Sequence, residues 1–334
     1  MQNIKIEDLA AVTYLDTTNL GIRTVNLMPL WDGENWYIWF QGPQGLMCMK
    51  PIDAEQVNYV AKQPARDSDI FIPFVDLMWQ RASYPEVCFF ISAICDDFHN
   101  MGTSIAKLKL FFDSRNSFAP SMMASNFAAT EIEYLIILTR SVFDLLQEII
   151  SRIWSNYVRM KNPEEEKLRR SRKLPDTFSK MILRDKNILK NSNDIQQQYG
   201  IPKVLAKEYA NSAVFFVDLR DMRDQIVHGG SARTTIFNTE KGFCVSSTDK
   251  PFNKFNGWDE SHRYNNNLYS ILPWIANIII QTISSCNNLM NALASCVLFP
   301  PEIAPGYRVF VRGPATKSLY EVLEISKGNS PWWK

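Results

Sequence analysis

The chain has 334 residues, 46% of them hydrophobic and 21% charged, and its formal net charge is +1 at pH 7. This composition is that of a soluble globular protein large enough to bury a core without disulfide staples. The near-zero charge excludes a global electrostatic footprint for nucleic acid, so a basic binding surface has to be local.

Residues 1–83 predict a small antiparallel β-rich N-terminal domain, because aromatic and β-branched residues there are separated by turn formers. Strands are predicted at residues 22–30, 36–40, 46–49 and 70–75. Pro73 confines the last strand to a sheet edge, and a short helix is predicted at 53–62. Base stacking is one interpretation of the aromatic run Trp36, Tyr37, Trp39 and Phe40. Alternating strand positions favour a place in the sheet core instead.

Four later stretches carry apolar residues at three- and four-residue steps, which predicts long amphipathic helices. They cover residues 84–112, 124–160, 201–228 and 268–298. Helices of this kind need partners on their apolar faces, so an antiparallel bundle is expected over residues 84–299. The fold class predicted is therefore α+β, mainly α, with a four-helix bundle after the β-rich domain.

The fourth helix is the most apolar stretch, but amide side chains interrupt it, so a buried helix is expected rather than a membrane span. The first residues lack the apolar run of a signal peptide, and none of the six cysteines forms a C-x-x-C pair. Both features favour a cytoplasmic protein with free thiols.

Shorter elements complete the prediction. A hairpin is expected between the third and fourth helices, around residues 234–245. The C-terminal tail, residues 300–334, contains a strand at 307–311 that is expected to pair with the N-terminal sheet. Trp332 and Trp333 suit docking on another surface or subunit.

A basic insert at residues 159–193 separates the second and third helices. Between Arg159 and Lys190 there are eleven Lys or Arg residues against five Asp or Glu. A binder of phosphate backbone is one interpretation, and a solvated loop is the other. The candidate RNA-binding residues in the insert are Lys167, Arg169, Arg170, Arg172 and Lys173.

The third helix ends in a compact set of groups suited to phosphate chemistry. Arg223 precedes His228 by five residues and Asp224 precedes it by four, before a Gly229-Gly230 pair that stops the helix. A five-residue step turns about 500° on a helix, or about 140° net, so Arg223 and His228 diverge. Asp224 shares a face with His228, and also with Arg220.

These groups are a candidate catalytic set for RNA cleavage. His228 is the candidate general acid or base, because its pKa suits proton transfer near neutral pH. Arg223 would stabilise the charge on the phosphate oxygens. Asp224 would orient His228 or hold Arg220, which is a further candidate RNA-binding residue. The RNA 2′-hydroxyl supplies the nucleophile, so no metal or cofactor is expected.

The alternative interpretation is that these residues have only a structural role. A histidine in a last helical turn interacts favourably with the helix dipole. Arg220 and Asp224 would then form a surface ion pair of little energetic weight.

At these residues the sequence resembles the HEPN superfamily. Residues 223–228 match its Arg-polar-x3-His pattern, with Asp224 at the polar position usually held by Asn. The resemblance implies a helical bundle that forms a homodimer with facing motifs and metal-independent RNA cleavage by Arg223 and His228. It also implies a toxin or antiviral defence effector. Gly230 stands where members silenced by nucleotidylation carry Tyr, which argues against that control here. Some members keep the bundle without catalysis.

Two other hypotheses stay open beside the ribonuclease. One is a non-catalytic HEPN-like scaffold that binds RNA or a protein partner. The other is a metal-dependent hydrolase using Asp96, Asp97 and His99, although no further His or Cys cluster completes that ligand set. In the ribonuclease hypothesis the N-terminal domain senses a trigger or answers to a regulatory protein partner.

Overall fold

A computed structural model describes residues 6–43, 45–118, 122–185, 188–228 and 235–325 of the chain, without the side chains of residues 6 and 226–228. The fold class is α+β, and helix predominates. The helices are α1 Ile6–Leu9, α2 Pro73–Arg81, α3 Pro85–Asp113, α4 Met122–Asn156, α5 Pro163–Ser171, α6 Phe178–Ile182, α7 Ser192–Tyr199, α8 Lys203–His228, α9 Leu272–Cys296 and α10 Thr316–Ile325. Within these described segments, no helix combines the length and the apolar character that a membrane crossing requires.

The strands are mostly short. They are β1 Leu30–Trp31, β2 Trp36–Gly42, β3 Gly45–Met49, β4 Val57–Ala61, β5 Ile70–Phe71, β6 Arg159–Met160, β7 Phe237–Thr239, β8 Gly242–Ser246, β9 Arg263–Asn265, β10 Leu268–Ser270, β11 Val297–Leu298 and β12 Arg308–Arg312.

The chain divides into two compact units, each made of three segments. Unit 1 comprises residues 1–95, 144–211 and 286–316, and unit 2 comprises residues 96–143, 212–285 and 317–334. Helices α3, α4, α8 and α9 confirm the four long helices predicted from periodicity, and each contributes residues to both units. The division into domains at residues 83 and 299 stays a prediction.

Unit 1 contains a six-stranded sheet in the order β3-β2-β1-β4-β12-β5. The predicted antiparallel meander is confirmed for β1, β2 and β3. The sheet as a whole is mixed, however, because β1 runs parallel to β4 with Leu30 opposite Val60. The predicted C-terminal strand is confirmed as β12, which pairs antiparallel with β4 and β5.

Three local predictions for the N-terminal region were wrong. The helix predicted at 53–62 is strand β4, whose Tyr59 is fully buried. Most of the strand predicted at 22–30 is irregular, and the buried Arg23 holds it by donating to the carbonyl oxygens of Gln80 at 2.7 Å and Pro301 at 2.6 Å. The strand predicted at 70–75 is only β5, at a sheet edge as expected, and Pro73 is the first residue of α2.

The described part of the basic insert in unit 1 contains the helices α5 and α6. Asn162 caps α5 by accepting from the Glu164 backbone nitrogen at 2.9 Å, and Pro163 occupies the first helical position. Three glutamates lie in the first turn of α5 and two arginines in the last, which complements the helix dipole. Strand β6 pairs with β11 and ties the start of the insert to the end of α9.

In unit 2, α3 and α4 are joined by hydrogen bonds from Ser104 and Lys107 to Glu131, at 2.8 and 3.0 Å. A four-stranded sheet in the order β7-β8-β10-β9 contains the predicted hairpin as β7 and β8. The fourth predicted helix begins late, because residues 268–270 pair as β10 with β8 and β9. Helix α9 therefore starts at Leu272.

Candidate functional site

The last turns of α8 follow a part of the helix whose apolar face is buried. Phe216 and Leu219 are fully buried. The Phe216 ring lies 5.6 Å from the Phe143 ring of α4, and the Arg140 guanidinium lies 4.2 Å above it. These contacts anchor one side of the helix, and the polar residues from 220 onward occupy its more exposed end.

Arg223 and Asp224 form an ion pair on this exposed end. Arg223 Nη1 donates to Asp224 Oδ1 at 2.9 Å, and each side chain is 45% exposed. Arg220 Nη2 donates to Asp221 Oδ1 at 3.1 Å, with Arg220 only 18% exposed. A guanidinium has five N–H donors. The half-exposed Arg223 can therefore donate hydrogen bonds to a phosphate while it stays paired with Asp224.

His228 is the last residue of α8. Asp224 lies four residues earlier, so the two positions share a helical face. The His228 side chain lies outside the part of the chain that the structure describes, as does the predicted Gly229-Gly230 stop. Its contacts therefore remain predictions.

A small cleft of about 130 Å³ borders the same end of α8. Its lining residues are Asp218, Asp221, Met222, Gln225, Lys250, Pro251, Asn253 and Lys254. Lys254 Nζ donates to Asp218 Oδ1 at 2.6 Å, and this hydrogen bond raises the pKa of Lys254. The sequence gives no sign of this cleft, because residues 250–254 carry no motif.

Unit 1 contains a larger cleft of about 570 Å³, here called the basic cleft. It is lined by Glu148, Ser151, Arg152, Ser155, Asn156, Arg169, Arg170, Arg172, Lys173, Leu174 and Asp176. Five of these side chains are basic and two are acidic. The basic cleft therefore suits an anionic ligand, since a concave site concentrates the field of its charges.

The basic cleft contains four of the RNA-binding residues predicted from the insert. Arg169, Arg170, Arg172 and Lys173 line it, whereas Lys167 does not. Lys167 is 74% exposed and pairs with Glu164 at 2.8 Å. Arg220, the remaining candidate, lies on the unit 2 part of α8.

The other wall of the basic cleft belongs to α4 and was not predicted from the sequence. Arg152 stands there with Ser155 and Asn156. Arg152 Nε donates to Glu148 at 3.2 Å, and its guanidinium lies 4.7 Å above the Phe90 ring. The available signal was an arginine four residues after a glutamate, near the end of a long amphipathic helix.

Two other candidates are less well placed. Trp36 and Trp39 are buried in the unit 1 sheet, at 3% and 6% exposure, and Phe40 is 42% exposed. Around Asp96, Asp97 and His99, burial raises the pKa of Asp97 to about 6 and lowers that of His99. Across the described ranges, no three His, Cys, Asp or Glu residues group into a metal-binding set.

Comparisons of the chain with protein-family models, with curated proteins and with solved structures found no match. The chemistry of the side chains themselves must therefore carry any functional assignment. Two arrangements stand out for phosphate: the paired Arg223 and Asp224 on α8, and the basic cleft in unit 1.

Proposed function

We propose that this chain is a metal-independent endoribonuclease of the HEPN type. One observation carries the proposal: Arg223 and Asp224 are paired and half-exposed on the last turns of a helix whose final residue is His228. A cation, a carboxylate and a histidine position thus share the same two helical turns. The match of residues 223–228 to the HEPN pattern supports the same assignment.

In the proposed reaction the RNA 2′-oxygen attacks the adjacent phosphorus, and the bond from phosphorus to the 5′-oxygen breaks. His228 accepts the proton of the 2′-hydroxyl or donates one to the leaving 5′-oxygen, and water makes the other of these two proton transfers. Arg223 stabilises the negative charge that grows on the non-bridging oxygens. Asp224 holds Arg223 and stands one turn before His228. The products carry a 2′,3′-cyclic phosphate and a 5′-hydroxyl.

A homodimer is part of this proposal. Positions 223 and 228 diverge by about 140° around one regular helix. Two copies with facing motifs, as in the HEPN family, would bring Arg223 of one copy near His228 of the other. The proposed biological setting, a toxin or antiviral defence effector, comes from the same resemblance.

The test is gel analysis of RNA incubated with the full chain and with a His228→Ala variant, each with and without EDTA. The wild type should cleave RNA with EDTA present, and His228→Ala should be slower by at least about 10²-fold, the smaller contribution of a general acid–base group. Cleavage that survives the substitution, or that EDTA abolishes, would overturn the proposal.

A second candidate function is a non-catalytic RNA-binding scaffold. The basic cleft favours it, because its five basic side chains lie in unit 1 and need no chemistry from α8. In that case RNA binds but stays intact under every condition. Binding without cleavage by the wild type would select this function.

A further inference from the structure

We propose that the basic cleft holds single-stranded RNA by its phosphates, with Arg152, Arg170 and Lys173 as the contacting cations. This inference rests on RNA being the partner in the proposed function. Beyond that function, the inference gives the binding site and includes Arg152 and Ser155, which lie outside the basic insert. It also separates the arginines that build the site from those that contact RNA.

The two walls of the basic cleft are fixed to each other by hydrogen bonds. The last turns of α4 form one wall, and the end of α5 with the extended segment 172–176 forms the other. Ser151 Oγ donates to the Leu174 carbonyl at 3.3 Å, and Gln147 Nε2 donates to the Pro175 carbonyl at 2.7 Å. The site is therefore formed before any ligand arrives, which lowers the cost of binding.

Two of the five basic residues build the cleft. Arg169 is 11% exposed, makes a two-pronged contact with Glu166 at 2.8 and 2.9 Å, and also donates to the Trp154 carbonyl. Arg172 donates to the Gln197 carbonyl. Both add positive charge to the site. Arg169 already donates from Nε, Nη1 and Nη2 to protein acceptors, and Arg172 is fixed in place through its Nη1.

The other three basic residues are better placed to contact a ligand. Arg170 is 67% exposed while its Nε donates to Glu166, and Lys173 is exposed at the cleft. Arg152 is 38% exposed, and its planar face is supported by Phe90. Arg152 lies on one wall, and Arg170 and Lys173 lie on the other. A polyanionic strand between the walls would meet cations on both sides.

The size and lining of the cleft select the class of nucleic acid. A volume of about 570 Å³ lies inside the range of about 300–1,000 Å³ typical of ligand pockets, which suits a few nucleotides of one strand rather than a duplex. The residues that line it are polar or charged apart from Leu174, and none is aromatic. Binding should therefore depend on phosphates and sugars rather than on base stacking. The exposed Ser155 hydroxyl is available for a phosphate oxygen or a 2′-hydroxyl.

The experiment measures fluorescence anisotropy of a labelled single-stranded RNA on a His228→Ala background, which prevents cleavage during titration. The test variant carries Arg152→Gln, Arg170→Gln and Lys173→Gln. The matched control carries Lys180→Gln, Lys203→Gln and Lys207→Gln, three exposed lysines of unit 1 that do not line the cleft. Both variants lose the same net charge.

The test variant should bind RNA on the order of tenfold more weakly, and its salt slope should fall by about 2, since each single-strand phosphate contact contributes about 0.7. The control should stay within about twofold of the parent. Lys173→Gln alone, which disturbs no ion pair among the described contacts, should weaken binding by about two- to threefold and covers the case of a misfolded triple variant. Equal binding by test and control variants overturns the inference, as does binding of inorganic triphosphate without binding of RNA.

Failure of this inference is distinguishable from failure of the ribonuclease. If the wild type cleaves RNA and the cleft substitutions do not change binding, the ribonuclease proposal stands and the RNA site in the cleft is wrong. If the cleft substitutions weaken binding and the wild type does not cleave RNA, the RNA site in the cleft stands and the ribonuclease proposal is wrong.

Discussion

Two arginine–carboxylate pairs with nearly the same hydrogen-bond length illustrate how burial separates structure from function. Arg169 and Glu166 meet at 2.8 Å and are 11% and 15% exposed. Arg223 and Asp224 meet at 2.9 Å and are each 45% exposed. The first pair has a structural role, because Arg169 and Glu166 also form hydrogen bonds with other residues of the chain. The second leaves polar atoms in contact with solvent, where a substrate can reach them.

Both pairs come from charged stretches that look alike in sequence. A desolvated pair should respond to mutation through stability, because the remaining charge loses its partner in a partly buried site. An exposed pair should respond through activity, because water replaces the missing partner at little cost. Substituting one residue of each pair therefore tests whether burial separates these two roles.

The largest expected effect is that of Arg223→Gln on RNA cleavage. Removing the cation should slow cleavage by about 10²- to 10³-fold, as with loss of one transition-state donor. The thermal midpoint should be unchanged, because the pair is exposed. Rates from single-turnover assays and a melting curve of the same sample check both halves. Arg223→Lys, which keeps the charge without the fork, should recover part of the rate; a large drop in thermal midpoint for Arg223→Gln would contradict this account.

Glu166→Gln should act on stability instead. It leaves Arg169 with a weakened partner and should lower the free energy of unfolding by roughly 1–3 kcal/mol, the cost of an unsatisfied group in a charged hydrogen bond. Denaturant unfolding measures this change. The exposed Glu164→Gln, whose partner Lys167 is also exposed, is the matched control and should change stability by less than about 1 kcal/mol.

The same glutamate makes stability depend on pH. The hydrogen bond from Arg169 holds the folded-state pKa of Glu166 well below its ordinary value of 4.5. A depressed acid pKa contributes stability above the unfolded pKa, and that contribution is lost as the pH falls below about 4.5 toward the folded value. Glu166→Gln should therefore flatten the acid side of the stability profile relative to wild type. A profile that keeps its full acid slope would show that Glu166 does not contribute it.

The smallest stability effect is expected for Asp224→Asn. An exposed pair contributes under about 1 kcal/mol, so the thermal midpoint should move little. Cleavage should slow, but less than in Arg223→Gln, because Asn, the usual residue at this position of the HEPN pattern, still accepts a hydrogen bond from Arg223 but lacks the charge that holds it. The two variants Asp224→Asn and Glu166→Gln, measured side by side, give opposite patterns if burial decides. Matching losses of stability would remove the distinction.

The sequence predicts elements well where periodicity reflects burial. Helices α3, α4, α8 and α9 follow from apolar residues at helical steps, and the buried Phe98, Ile149 and Phe216 lie on those faces. Strand β4 was mistaken for a helix, since its conformation is imposed by pairing on both sides with β1 and β12, which are distant in sequence.

The two candidate sites also differ in how far the sequence could predict them. The set at residues 223–228 is local, so spacing alone suggests it. The basic cleft combines a charge run with Arg152 from α4, and nothing local connects position 152 with position 173. The glutamates in the first turn of α5 and the arginines in its last turn were a readable sign of a helix in the insert.

Cleavage of an RNA with a single 2′-deoxy substitution tests whether the RNA 2′-hydroxyl is the nucleophile. An oligonucleotide cut by wild type at one bond is compared with the same sequence lacking only the 2′-hydroxyl 5′ to that bond, in EDTA. Attack by the 2′-hydroxyl should leave a 2′,3′-cyclic phosphate on the first product and should give no cut at that bond in the substituted strand. Cleavage of the 2′-deoxy bond, or a 3′-hydroxyl end on the product, would contradict it.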